Sequence, residues 1–275
     1  YNKGIYSKTE AQFHLAKIYS DYLSEYDSAY TLLQNLIAKY PQNGLFGYQY
    51  AVSLIKGKNV EYANSVLNNV IKLRNKKIPQ ITALAYYRKG EIYFKKNNFK
   101  EAIKNYEMFL DLSRELDLTG IAALNTAISY KMLNKEEDFK QYLLLAKNGN
   151  QDIFEDTYAL KKSENYLENG ISDEELSLYK IKNNLDVGNY RYVYNTLTNS
   201  KENFTNDLKA LQLIYLAEAE QKIGKNKEAI ETCNEIFEMK IHKEKWIMPM
   251  SKLIYANANF NLGNKEEAKE FLLKA

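Results

Sequence analysis

The clearest pattern of apolar and polar positions lies between residues 83 and 114. Large apolar residues recur there at helical spacing in two stretches, which a polar turn at Asn97 and Asn98 separates. The first stretch carries the small residue Gly90 and the second carries Ala102. Helical periodicity on both sides of a short polar turn predicts two amphipathic helices that form an antiparallel hairpin. The small residues then mark the place where the two helices cross closely.

The same arrangement recurs along the chain, in seven stretches. Each stretch has an apolar, helically periodic segment, a polar turn and a second segment with an anchor position near its start. The seven anchors are Ala29, Ala63, Ala102, Phe139, Val193, Ala229 and Ala268. Most successive anchors lie 34 to 39 residues apart. Self-similarity at such a period is typical of stacked helical repeats, in which each hairpin contacts only its neighbours.

The repeat is interrupted between Phe139 and Val193, where the longer spacing leaves room for an extra helix. Residues 152–168 have an apolar face that predicts this helix. The stretches before and after it are rich in Gly and Asn and predict loops. We therefore expect four hairpins in residues 1–147, the irregular extra helix with its loops in residues 148–172, and three hairpins in residues 173–275.

Composition agrees with a helical chain. Of 275 residues, 45% are hydrophobic and 27% charged, with only 11 Gly and 3 Pro, and scarce helix breakers favour helices. The 24 Tyr suit seams between helices, because the ring packs while the hydroxyl reaches a polar partner. Gly224 and Gly263 stand in two of the later turns and predict left-handed helix caps there.

Neither the charge balance nor the length of the apolar runs favours a nucleic-acid partner or a membrane span. The net charge is +3, and four of the 38 basic residues are Arg, without the basic stripe of a nucleic-acid-binding protein. No apolar run approaches the length of a membrane span. One cysteine cannot form an internal disulfide, so the compartment stays open between the bacterial cytoplasm and export to the cell envelope.

The chain offers little for catalysis. Its two histidines, His14 and His242, lie in different repeats, and neither has Cys or His neighbours at metal-ligand spacing. Cys233 occupies an apolar position in the second helix of a hairpin, so we expect it to be a small core residue. Motifs for phosphate binding, zinc proteolysis or serine hydrolysis are absent from the sequence. We expect no catalytic residue, no metal and no cofactor.

The hairpin at residues 83–114 resembles the tetratricopeptide repeat. The resemblance rests on the aromatic Tyr86, the small Gly90 and Ala102, and the aromatic Tyr106 and Phe109 at the spacing of that family. The looser hairpins resemble the degenerate repeats of bacterial members. The resemblance implies an all-α, right-handed solenoid of about seven hairpins that serves as a protein-binding scaffold and not as an enzyme.

In that family the first helix of each hairpin lines a concave groove that binds a protein or peptide. The corresponding candidate groove residues are Tyr48, Gln49, Tyr87, Arg88, Glu91, Asn125, Tyr179, Tyr215 and Asn257. The basic and amide clamp with which some members hold a carboxylate tail is absent at these positions. A tyrosine-rich apolar lining suits an amphipathic helix or an extended peptide. If a helix of the chain fills the groove instead, the protein is a structural or regulatory module of a larger assembly; the sequence leaves both open.

The last hairpin predicts further contacts. Leu272 and Leu273 suggest an apolar end face that needs a capping helix, an oligomer contact or a bound subunit. Trp246, shortly before Pro249, suits a helix start, and it either seals a seam or anchors a partner. Tyr1 and Ala275 both fall inside predicted helices, so we expect the chain to be a trimmed segment.

Overall fold

The computed structural model describes residues 8–73, 79–113, 117–199, 204, 206–242 and 244–273. Over these residues the secondary structure is helical, without strands. The first nine helices are α1 Lys8–Ile18, extended by a π-helical turn at Tyr19–Leu23, α2 Tyr26–Lys39, α3 Gly44–Lys56, α4 Val60–Leu73, α5 Pro79–Lys95, α6 Phe99–Leu112, α7 Thr119–Met132, α8 Glu136–Ala146 and α9 Phe154–Asn169. The remaining helices are α10 Asp173–Asp186, α11 Tyr190–Thr198, α12 Asn206–Lys222, α13 Asn226–Phe237, α14 Ile247–Asn261 and α15 Lys265–Leu272.

The helices belong to two compact units, Tyr1–Gly170 and Ile171–Ala275, called unit 1 and unit 2 below. Unit 1 holds four hairpins, from α1–α2 to α7–α8, followed by the single helix α9. Unit 2 holds three hairpins, from α10–α11 to α14–α15. Within each unit every hairpin packs on the next. The described residues of each unit therefore form an all-α solenoid, with four hairpins in unit 1 and three in unit 2, as the sequence predicts. The division at residues 147 and 172 stays a prediction.

Every hairpin turn contains one residue in the left-handed backbone region. In unit 1 these residues are Ser24, Lys58, Asn97 and Asn134, and in unit 2 they are Gly188, Gly224 and Gly263. A left-handed residue after a helix ends it and reverses the chain within a few positions. The two glycine caps predicted in unit 2 are confirmed, with φ of 87° at Gly224 and 89° at Gly263.

The predicted anchors form the centre of each hairpin. All seven, from Ala29 to Ala268, are at most 2% exposed. The close crossing predicted at Gly90 is also confirmed, since a Cβ there would lie 2.5 Å from the Tyr106 ring. Small side chains at the crossing therefore let large aromatic residues fill the space beside them.

Buried and half-buried tyrosines keep their hydroxyls bonded across neighbouring helices. Asn125 of α7 donates to the Tyr106 hydroxyl at 3.2 Å. Tyr130 and Tyr142 both donate to one carboxylate oxygen of Glu107, at 2.7 and 2.8 Å. Such bonds satisfy polar groups that burial would otherwise leave without partners. They join α6 to the α7–α8 hairpin.

Some polar contacts join successive hairpins. In unit 1, Lys56 bonds to Asp21 at 2.7 Å, and in unit 2 Asn261 donates to Asn226 at 3.2 Å, each pair being 35 residues apart. Both contacts therefore hold one hairpin against the next.

The extra helix predicted for residues 152–168 is confirmed as α9, which packs against α7 and α8. Its Asp156 is fully buried. One carboxylate oxygen accepts the backbone N–H of Ile121 at 2.9 Å, and the other accepts that of Asn150 at 2.9 Å. Ile121 lies in the first turn of α7, whose N–H groups lack partners within the helix. Asp156 therefore holds α9 against the start of α7.

Candidate functional site

The candidate groove residues of unit 1 lie on α3, α5 and α7, which are first helices of three successive hairpins. We call the shared side of these three helices the first-helix face. On this face Tyr48 of α3 and Arg88 of α5 meet, 40 positions apart in the chain. The Arg88 Nε donates to the Tyr48 hydroxyl at 3.3 Å. Arg88 Nη1 donates to Glu91 one turn later. Three of the predicted site residues thus form one network.

The network is half-buried and carries paired charges. The side chains of Arg88 and Glu91 are 28% and 18% exposed. Burial alone would lower the pKa of Arg88, but the carboxylate of Glu91 raises it above its ordinary value, so the guanidinium stays charged. Its carbon also lies 5.2 Å from the Tyr87 ring centre, within cation–π distance. A guanidinium fixed in this way presents a rigid fork of donors.

Tyr87 lies beneath the network and contributes to the core. It is 4% exposed, and its ring packs against Tyr106 and Phe109 with centroids 5.9 and 5.2 Å away. Burial, followed by the nearby Glu91, raises the pKa of Tyr87. The side chain of Tyr87 therefore supports Arg88 and offers little surface of its own.

Toward α7 the first-helix face is closed. Leu124 and Ile128, which flank the candidate Asn125 on α7, are 1% and 0% exposed. Asn125 between them is half-buried and engages Tyr106. The exposed part of the face accordingly centres on α3 and α5.

In unit 2 the candidate residues are more dispersed. Tyr179 of α10 is half-buried, Tyr215 of α12 is 8% exposed, and Asn257 of α14 is exposed. Unit 2 is therefore a weaker candidate for the primary binding surface.

The residues considered for chemistry have ordinary surroundings. His14 is exposed, 3.8 Å from Glu10, and His242 is exposed as well. Cys233 is fully buried, as predicted, and burial raises the pKa of its thiol to about 12, which keeps it from acting as a nucleophile. In the described part of the chain no three His, Cys, Asp or Glu residues are grouped to hold a metal ion. Of the helices described, none has the length and apolar character needed to cross a bilayer.

Two buried carboxyl groups escaped the sequence analysis, Asp156 in unit 1 and Glu220 in unit 2. Asp156 lies in the first turn of α9, where an acid is ordinarily explained by its favourable interaction with the helix dipole. Glu220 stands in a polar-looking segment near the end of α12. Each of these carboxyl groups falls on the apolar face of its helix, and this position was the sequence signal for a buried acid. The sequence does not show which groups contact the acid.

Gln49 provides a test of the buried part of the face. It is 6% exposed, and its enclosed amide nitrogen has no hydrogen-bond partner within the described protein. An unpaired buried amide opposes folding, so Gln49→Met, which keeps a similar volume, is expected to raise the free energy of unfolding by about 1 kcal/mol. Urea denaturation measures the change. Gln34→Met is the control, because the Gln34 amide donates to Tyr50 at 2.7 Å; an equal gain from both variants contradicts the assignment.

Three stretches of the chain match models of the tetratricopeptide repeat family, at residues 10–43, 83–116 and 251–275. These stretches correspond to the first, third and last hairpins. Among solved structures, the TPR domain of P58(IPK) is similar at 14% identity and a TM-score of 0.33, covering 96% of this chain and 91% of that one. Comparison with curated protein sequences finds no match.

Proposed function

We propose that this chain, a tetratricopeptide repeat protein, is a non-enzymatic scaffold that binds a protein or peptide on the first-helix face of unit 1. Repeats of this family support protein–protein interaction in general. The proposal adds a place, the surface of α3 and α5 around Tyr48, Arg88 and Glu91.

One observation carries the proposal, the half-buried network of Arg88 with Tyr48 and Glu91. Its side chains are ordered by one another before any partner arrives, so binding loses little side-chain entropy. Arginine and tyrosine are also the residue types that most often dominate binding energy at protein interfaces. A partner with apolar side chains and free backbone acceptors suits such a surface.

A second function is favoured at the α7 end of unit 1. There Leu124 and Ile128 are buried, and α9 of the same chain packs on α7. If the first-helix face is also covered at α3 and α5 while the protein functions, the protein is a structural or regulatory module of a larger assembly. Such a module makes its contacts outside the first-helix face.

Arg88→Ala is expected to weaken partner binding by about tenfold or more, because it removes a fixed cation from the centre of the surface. The partner is first captured from the source cells with the full chain and identified by mass spectrometry. Its affinity for the purified variants is then measured by calorimetry. Arg88→Lys should restore little, since a lysine lacks the planar donor fork.

The matched control is Lys104→Ala, a cation exposed on α6, the second helix of the same hairpin. It should leave the affinity unchanged. If Arg88→Ala binds as tightly as the wild type while Lys104→Ala loses affinity, the partner uses the other side of the hairpin and the proposal is wrong. Circular dichroism of each variant establishes that the fold is retained.

A further inference from the structure

Glu220 is a carboxyl group enclosed at the crossing of α12 and α13. It is 4% exposed, and its neighbours Ala217 and Ala219 on α12 are fully buried. Cys233 on α13 is fully buried as well. A carboxylate in such surroundings loses its hydration, which favours the neutral acid.

The side-chain carboxyl of Glu220 is hydrogen-bonded to Thr232 of α13, with 2.8 Å between Thr232 Oγ1 and Glu220 Oε2. This bond connects the two helices of the hairpin. It is compatible with either protonation state, because a hydroxyl both donates and accepts. A single hydroxyl replaces only part of the hydration that an ionised carboxylate has in water.

No cation neutralises Glu220 within the described residues. Lys225 in the turn acts on Glu220 electrostatically, but it is bonded to Glu228 at 2.7 Å and lies 5.0 Å from the Tyr194 ring centre on α11. Glu228 and Glu231 of α13 are further negative charges that oppose its ionisation. From α14, Tyr255 contacts Cys233 through its backbone.

We propose that Glu220 is a pH-dependent latch of the α12–α13 hairpin. The protonated, neutral carboxyl fits the enclosed crossing of α12 and α13, and the hairpin stays closed. Ionisation releases the proton to solvent and leaves an unneutralised negative charge in the core, which loosens the hairpin. Unit 2 thereby responds to pH near neutrality through a carboxyl group enclosed in its second hairpin.

The direction of the response follows from proton binding. Burial, opposed in part by the Thr232 bond, raises the pKa of Glu220 from 4.5 to about 7. Between these two values the folded state holds a proton that the unfolded state has released, so stability falls as pH rises. The stabilisation is complete below the unfolded value and is lost as pH rises through the folded value.

The test is hydrogen exchange of the full chain, read by mass spectrometry as protection factors of α12 and α13 peptides at several pH values. Protection in the wild type is expected to fall by about tenfold per pH unit between roughly pH 5 and 7 and then to level off. Glu220→Gln, which stays neutral, should show flat protection over the same range. Peptides from α5 and α6 provide the internal reference.

Two more variants make the outcome decisive. Glu238→Gln, at an exposed acid after α13, should keep the wild-type pH profile. Thr232→Val removes the hydroxyl that stabilises the ionised form and should move the midpoint to higher pH. The latch is refuted if wild type and Glu220→Gln share one pH profile, if Glu220→Gln fails to fold at acidic pH, or if Thr232→Val leaves the midpoint in place.

Discussion

Asp156→Ala is expected to lower the free energy of unfolding of unit 1 by about 3 kcal/mol. The substitution removes both acceptors of two backbone N–H groups, those of Ile121 and Asn150, in a site where Asp156 is fully buried. Each donor then loses a charge-assisted bond in a partly buried site. Denaturant unfolding gives the global change, and hydrogen exchange of α7 and α9 peptides locates it.

The control for Asp156→Ala is Asp152→Ala, four residues earlier. Asp152 is exposed in the turn before α9, so its removal should change stability by no more than about 0.5 kcal/mol. Equal losses of stability from the two variants would mean that the negative charge near the start of α9, and not the two buried hydrogen bonds, holds this helix in place. Asp156→Asn should fall between wild type and Asp156→Ala, because one amide oxygen still accepts.

Gly90→Ala is expected to cost about 2 kcal/mol, although alanine is ordinarily the better helix former. The new methyl group would lie 2.5 to 2.8 Å from three atoms of the Tyr106 ring. That ring is fully buried and its hydroxyl is held by Asn125, so it cannot move aside without breaking contacts. Thermal and urea unfolding of the purified variant measure the loss.

A double-mutant cycle separates this clash from other effects. In a Tyr106→Leu background the ring is gone, so adding Gly90→Ala should cost at least about 1 kcal/mol less than it does in the wild type. Strictly additive losses would show that Gly90 is needed for a reason other than the approach of Tyr106.

The hairpins are readable from the sequence because their determinants are local. Gly90 and Ala102 mark the crossing of two helices within one hairpin, and Gly224 and Gly263 mark turns within a few residues of the helix ends. Each such feature depends on neighbours close in the chain, so spacing alone predicts it. The extra helix α9 follows for the same reason, from its own apolar face.

The exposure of the candidate site is not readable in the same way. Whether Leu124 is open or covered depends on packing from more distant parts of the chain. The bond between Tyr48 and Arg88 likewise depends on how one hairpin sits on the next. The sequence thus indicates which face carries the candidate residues, while packing between hairpins decides which of them reach the surface.

The place of Trp246 has a practical consequence for following the two units separately. It is the single tryptophan of the chain, it precedes α14 in unit 2, and its indole N–H donates to Glu244 at 2.8 Å with the side chain partly exposed. Tyrosines lie in both units. Selectively excited indole emission therefore reports on unit 2. A melting transition that changes the total helicity, but leaves the indole emission unchanged, belongs to unit 1. Fluorescence of Trp246, compared with circular dichroism, therefore shows which unit unfolds first without an added label.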